Sequence, residues 1–281
     1  MTTLRESIRH LKNDLIYRYY HYRISKSNYP DQVFMKKEPY KVLFILSHMR
    51  SGSSLLTHIL ISNPAIKGYG ESHIQYESEA DLKSLMYKIY VHNQEFTNLK
   101  DLGKLRMNHT YLLDKLLHDK KLLNKNLLKK NNFYFIFLIR EPQRSLMSML
   151  DHKPHWTQED AVTYYTQRLL SLSEYAQLIN DKQRSFLLNY EQLINDTEPV
   201  FDSLQNFLKT RESFSENYQV LNTTGKRHIG DFKENIRSGR IIRKPRPLNF
   251  SISPNLLEKG IKSYNDCYEI LHQYCQIINH S

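Results

Sequence analysis

Two cysteines are the whole thiol content of the 281 residues. Both, Cys267 and Cys275, lie on one C-terminal segment, so neither a disulfide framework nor a zinc site is indicated, and a reducing cytoplasm fits. No apolar run approaches the roughly 18 residues that cross a membrane. The N-terminal stretch has no apolar core of a secretory leader. No cluster of His, Cys and Asp suggests a metal. Repeats and low-complexity tracts are also lacking. The composition does offer positive charge: 40 Lys and Arg stand against 29 Asp and Glu, for a net +11. Such an excess suits a polyanionic ligand, nucleic acid or an anionic surface, and does not choose among them. Apolar residues at 40% and aromatics at 12% suffice for a globular core. The length suits one large domain, or a domain with appendages.

The organising stretch is Ser47-His48-Met49-Arg50-Ser51-Gly52-Ser53-Ser54. The apolar run Val42–Leu46 before it reads as a buried parallel strand. After it Leu55, Leu56, Ile59 and Leu60 recur at helical spacing, so a helix starts near Ser53. A tight loop between such a strand and helix aims backbone N–H groups and a helix dipole at one spot, which binds phosphate. Gly52 permits close approach of the anion, the serines add hydroxyl donors, and Arg50 adds a permanent charge. The ATP and GTP motif G-x-x-x-x-G-K-[ST] is not met: there is one glycine and no lysine after it.

A second strand–turn–helix unit follows the same plan. Phe133–Ile139 is the clearest buried strand, it ends in Arg140-Glu141, and Pro142 suits the first turn of a helix. Between the two units, Ile66–Gly70 predicts a short strand emerging beside the C-terminal end of the first, with Glu71 facing the same crevice as Arg50. Residues 77–108 read as helical, burying Leu82, Leu85, Met86, Ile89 and Tyr90. Tyr111–His118 reads as a strand leading into a loop, and Lys120–Lys130 as an amphipathic helix with a solvated basic face. Thr157-Gln158-Glu159-Asp160 is a capping pattern for a long helix. Its apolar stripe is Val162, Tyr165, Leu169, Leu172, Ala176 and Ile179. A short strand at 185–189 precedes a helix from about Pro199. Residues 1–28 form a basic helix with Tyr17, Tyr19, Tyr20 and Tyr22, an appendage that packs on the domain or a partner. Its apolar face is weak for a membrane surface. The segment 254–279 is a helix with Leu257, Ile261, Tyr264, Tyr268, Leu271 and Cys275 on or near one face. Neither aromatic platforms nor a known module for nucleic acid is visible.

The order Arg-Ser-Gly-Ser-Ser-Leu-Leu, helix, Asn63-Pro64, then Gly70-Glu71 resembles the sulfotransferases that use 3′-phosphoadenosine 5′-phosphosulfate (PAPS), closest to the bacterial and tyrosylprotein types. The resemblance spans roughly residues 42–233. It implies an α/β, P-loop-like three-layer fold, with a central parallel sheet and helices on both faces. It implies one domain over 1–281, divided into an N-terminal helical appendage (1–39), a PAPS-binding core (40–250) and a C-terminal helix (251–281). It implies that Arg50, Ser51, Gly52, Ser53, Ser54 and Leu55 hold the 5′-phosphosulfate, and that Arg140 and Ser148 hold the 3′-phosphate. By the same likeness Tyr190, in a Tyr-Glu-x-Leu segment, meets the adenine, and Lys226 and Arg227, in a loop ending near Phe232, add phosphate ligands. Glu71 is the implied general base, with His73 a second candidate. Lys115 matches a lysine that stabilises the leaving group. His118 stands at a spacing before Arg140 like that of the catalytic histidine of cytosolic sulfotransferases, so Glu71 and His118 both stay open as base. The implied reaction needs no metal. The expected acceptor is a hydroxyl or amine of a soluble small molecule, a specialised metabolite or sugar. Protein tyrosine or a glycolipid is the alternative acceptor, and a basic nucleotide- or nucleic-acid-binding protein the non-enzyme alternative. The expected setting is cytoplasmic, with no nucleic-acid partner and no transmembrane segment; a homodimer stays open.

Overall fold

The computed structural model describes residues 4–92, 105–118, 124–220, 235–244, 247–248 and 250–279. Strands β1 (Lys41–Ser47), β2 (Ile66–Gly68), β3 (Tyr111–Leu116), β4 (Phe133–Ile139) and β5 (Ser185–Asn189) form one sheet in the order β2-β3-β1-β4-β5. Every pairing in it is parallel. Each crossover carries at least one helix, as parallel neighbours require. The short strand β2 is separated from β1 by β3, so it does not emerge directly beside β1 as the local pattern suggested. Pairing order is set by non-local crossovers, which a three-residue strand does not encode.

Alternation along the central strands splits the core in two. Val42, Phe44 and Leu46 of β1 join Phe133, Phe135 and Phe137 of β4 on one face. Leu43 and Ile45 join Ile136 and Leu138 on the other. Helices α1 (Leu4–Ser25), α3 (Asp81–Tyr87), α5 (Pro142–His152), α6 (Gln158–Ile179) and α9 (Pro254–Tyr274) cover the first face. Helices α2 (Ser53–Ser62), α7 (Tyr190–Asn195) and α8 (Thr197–Leu208) cover the second, and the one-turn α4 (Lys125–Leu128) precedes β4. The layers are therefore helix, parallel sheet, helix.

Several local expectations hold in detail. Thr157 caps α6 in a capping box with Asp160, and the whole apolar stripe of that helix is buried. Pro142 opens α5 with Glu141 as its N-cap. Among the described residues other elements cover less than their patterns, and 93–104 and 119–123 lie outside the described residues. The helix expected over 77–108 is described as α3 and one π-turn (Lys88–His92), although Leu82, Leu85, Met86, Ile89 and Tyr90 are all buried. The helix expected over 120–130 is described as α4 alone. On α9, Ile261 is exposed and Gly260, Cys267 and Leu271 form the buried line. At Gly260 the helices pack closely: an added Cβ would come 3.2 Å from the Cβ of Pro142 of α5, so the neighbour would have to give by a few tenths of an ångström.

Candidate active site at the C-terminal sheet edge

The loop between β1 and α2 carries two residues in the left-handed region, Arg50 (φ 63°) and Gly52 (φ 91°). A non-glycine residue there stores strain, which functional loops retain when their surroundings hold it. Gly52 is the N-cap of α2, and no side chain caps that helix. Its first N–H groups are thus left to an external acceptor. A Cβ on Gly52 would lie 2.2 Å from the ring of Tyr190, so the glycine also makes room for that tyrosine. The Ser51 hydroxyl is engaged inside the loop, 2.5 Å from Ser47 Oγ. Leu55 contributes a buried side chain beneath the helix start.

The unit from β4 to α5 meets this loop. The Arg140 guanidinium stacks 4.1 Å from the centre of the Tyr190 ring, and its Nη1 donates to the Arg50 carbonyl at 3.1 Å. Its Nε is buried, donates no hydrogen bond, and lies 3.8 Å from Glu191 Oε1. Arg50 Nε donates to Ser148 Oγ at 2.9 Å, meeting α5 from its side. Arg50, Arg140, Ser148, Gly52 and Tyr190, drawn from four separate segments, thus form one contiguous patch.

On the other side of the loop, Lys115 points from β3 towards α2. Adjacent strand residues face opposite ways, so Lys115 and Asp114 serve different neighbours. Lys115 Nζ donates to Ser54 Oγ at 3.1 Å and lies 3.6 Å from Glu71 Oε2. Lys115 is 3% exposed and Glu71 8%, so this ion pair is nearly dry. Burial pushes the Lys115 pKa below that of an ordinary lysine; Glu71 and Asp114 oppose that shift and Arg50 adds to it. Asp114 accepts from Ser72 N at 3.0 Å, from Tyr76 Oη at 2.7 Å and from the Ser72 hydroxyl. These bonds fasten the segment that carries Glu71. Burial nevertheless raises the Asp114 pKa, the hydrogen bonds acting against it. His73 Nδ1 lies 3.5 Å from Glu71 Oε1. His118 stands against Tyr164 of α6, with ring centres 5.7 Å apart. Lys226 and Arg227 lie outside the described residues.

Four residues to which the sequence assigned no role in the site hold this edge together. His48 is fully buried; Arg140 N–H donates to its Nε2 at 3.2 Å and its Nδ1 lies 2.7 Å from the Met49 carbonyl. Both contacts are met by the neutral ring with its proton on Nδ1. Burial, with the Arg140 and Arg168 charges, pushes its pKa down to about 3. Arg168 donates to the carbonyls of Ser47 at 2.9 Å and Leu116 at 2.7 Å, closing the ends of β1 and β3. Tyr164 Oη accepts from Met49 N at 2.9 Å and donates to Leu117 O at 2.6 Å. Tyr165 Oη donates to the Arg140 carbonyl at 2.7 Å. One signal was available: Arg168 interrupts the apolar stripe between Tyr165 and Leu172, where a cation must find buried acceptors.

A family model described as the sulfotransferase family matches residues 43–213, more than half of the chain. Among solved structures, the chain is similar to the sulfotransferase domain from the curacin biosynthetic pathway. Identity is 16% and the TM-score 0.50, over 82% of this chain and 99% of that one. It is also similar to the sulfotransferase domain of the Synechococcus PCC 7002 olefin synthase. There identity is 17% and the TM-score 0.51, over 82% of this chain and 96% of that one. No curated protein sequence matches the chain.

Proposed function

This chain belongs to the sulfotransferase family, and we propose that it moves a sulfuryl group from PAPS to a hydroxyl or amine of a small-molecule acceptor. The observation that carries this reading is the meeting of the two strand-end turns. Arg50 bonds Ser148, and Arg140 bonds the Arg50 carbonyl while stacking on the tyrosine that covers Gly52. A bisphosphorylated nucleotide needs two such anion sites at a fixed separation. The residues present fit it: an uncapped helix start on one side, and on the other a buried Arg140 Nε without a hydrogen-bond partner.

In this reading the N–H groups of Ser53, Ser54 and Leu55, with the loop from Arg50, take the 5′ anion. Arg140 and Ser148 take the 3′-phosphate, and Tyr190 offers its ring to the adenine. Lys226 and Arg227 are proposed as further phosphate ligands. When bound, PAPS supplies the activated sulfuryl group and leaves as 3′,5′-ADP. Lys115 and Arg50 hold the charge that grows on the departing phosphate oxygen. Glu71 takes the acceptor proton as the new bond to sulfur forms. Its 3.6 Å ion pair with Lys115 supports that choice, because it puts the base beside the leaving-group cation. His118 is the alternative base, oriented by Tyr164. The burial of Glu71 and Lys115 favours an acceptor small enough to enter a narrow site. The whole of 1–281 is taken as one domain.

Thermal shift with 3′,5′-ADP, Mg²⁺-ATP and single-stranded DNA tests the reading. Stabilisation by 3′,5′-ADP alone is expected. A preference for Mg²⁺-ATP or for DNA would contradict it.

A further inference from the structure

Helix α1 is apolar on two opposite sides. Tyr20 and Ile24 are fully buried against the core, where Tyr20 stacks on Tyr90 at 5.5 Å. Lys83 of α3 fastens the helix end by donating to the Ile24 carbonyl at 2.9 Å. At 3.6 residues per turn, Leu11, Leu15 and Tyr22 fall on the side facing away from Tyr20. They are 63%, 59% and 52% exposed. The stripe continues into the next loop, where exposed Phe34 meets Tyr22 edge-on at 5.6 Å and Met35 is 81% exposed. A packed helix needs one apolar side, and the outer one calls for a partner.

Beside this stripe lies a cavity of about 560 Å³. Arg23, Lys36, Lys37 and Arg106 line it with Tyr19 and Met35, and among the described residues no carboxylate does. Lys36 sits 4.5 Å over the ring of Tyr40, the residue just before β1. The cavity is therefore at the N-terminal edge of the sheet. The candidate active site is at the far end of β1, ~20 Å away at roughly 3.3 Å per residue. One small acceptor cannot fill both.

We propose that this face binds an anionic lipid bilayer, with Leu11, Leu15, Tyr22, Phe34 and Met35 entering the interface and the four-cation cavity receiving a lipid phosphate. Charge complementarity selects this occupant: cations beside exposed aromatic and aliphatic side chains match a headgroup layer over acyl chains. No described helix is long and apolar enough to cross a membrane, so the contact is with the surface.

Flotation of the full chain with two kinds of vesicle tests this, one of phosphatidylcholine alone and one of phosphatidylcholine with phosphatidylserine. Binding is expected to the second kind and to weaken with salt. The double variant Lys37→Ala/Arg106→Ala is expected to lose roughly fivefold in affinity per cation removed. Leu11→Ser/Leu15→Ser is expected to abolish flotation while leaving the melting temperature and 3′,5′-ADP binding unchanged, since both leucines are exposed. Failure of the wild-type chain to float with phosphatidylserine vesicles would overturn the proposal. So would equal flotation of wild type and both variants. A wild-type dimer that Leu11→Ser/Leu15→Ser makes monomeric would overturn it as well, by showing that a second copy covers the stripe. None of these readouts depends on the identity of the acceptor.

Discussion

After β1 the chain takes five residues, His48 to Gly52, before α2 begins; after β4 it takes two, Arg140 and Glu141, before Pro142 opens α5. The first turn holds two left-handed residues and leaves its helix without a side-chain cap. The second is closed: the Glu141 carboxylate accepts from Arg144 N at 2.8 Å, and Pro142 has no N–H to offer. The second turn thus has fewer backbone donors to offer than the first, its Arg144 N–H being spent on the cap and Pro142 having none. An anion at the first can be held by main chain. In the proposed reading an anion at the second is held mainly by side chains, with Arg140 first among them, braced by its Nη1 bond to the Arg50 carbonyl and its stack on Tyr190. In the proposed reading the same strand–turn–helix plan yields two anion sites of different kind.

The largest expected effect lies between the two turns and Lys115. Glu71→Gln keeps shape and hydrogen bonding but loses basicity, so turnover with the true acceptor is expected to fall roughly 10²–10⁴-fold. Binding of 3′,5′-ADP should stay near wild type, and His118→Ala should cost less. A dispensable Glu71 with an essential His118 would move the base to the Tyr164 side. Next comes the open turn itself. Gly52→Ala places a methyl 2.2 Å from the Tyr190 ring at φ 91° and is expected to cost roughly 2–5 kcal/mol in nucleotide affinity or stability. Calorimetric titration with 5′-AMP, which reports the open turn without the 3′ site, would show an unaffected loop if main-chain holding is wrong.

The pH dependence sharpens the comparison further. In the proposed mechanism Lys115 acts as a cation, and its pKa in the fold lies below the ordinary 10.5 because it is buried. Turnover should therefore fall on the alkaline side as pH rises through that lowered value. Stability should move the other way. Between the folded and unfolded pKa values the unfolded chain holds the proton more often, so stability rises with pH across that window. Lys115→Arg should remove the alkaline loss of turnover within this range, because a guanidinium stays charged. Parallel loss of rate and melting temperature would assign the limb to unfolding instead. The smallest effect belongs to the closed turn. Glu141→Ala removes a cap and should cost about 0.5–2 kcal/mol of stability, read by denaturant melts, with 3′,5′-ADP affinity little changed.

What the sequence made legible were features written locally. The strands β1 and β4 stand out as apolar runs bounded by polar turns, and α6 by its Thr157 cap. Glycine at position 52, followed by serines and preceded by an apolar run, marks a tight strand-to-helix turn by local pattern alone, and the structure has Gly52 there in the left-handed region. The order of strands was not legible, because β3 enters between β1 and β2 by a crossover no local pattern records. Nor was the bracing of the site. Gly52 and Tyr190 are far apart in the chain, and their contact exists only once β5 delivers Tyr190 to the same sheet edge. His48 sat inside the motif yet had no visible task, since its partners are the backbone of Met49 and of Arg140. The apolar face of α1 reads as weak for a membrane surface from the sequence alone. Its meaning changed when Tyr20 and Ile24 proved to be the buried side, leaving Leu11 and Leu15 outward.

The central claim of the proposed reading is that Arg140 is the main side-chain ligand of the anion at the second turn. Titration of wild type and Arg140→Ala with 3′,5′-ADP and with 5′-AMP tests it most directly. A charge-assisted hydrogen bond is worth roughly 1.5–3 kcal/mol. Affinity for 3′,5′-ADP is expected to fall by about that amount, and affinity for 5′-AMP to change little. Equal losses for the two nucleotides would contradict the assignment of Arg140 to the 3′-phosphate and, with it, the division of labour between the turns.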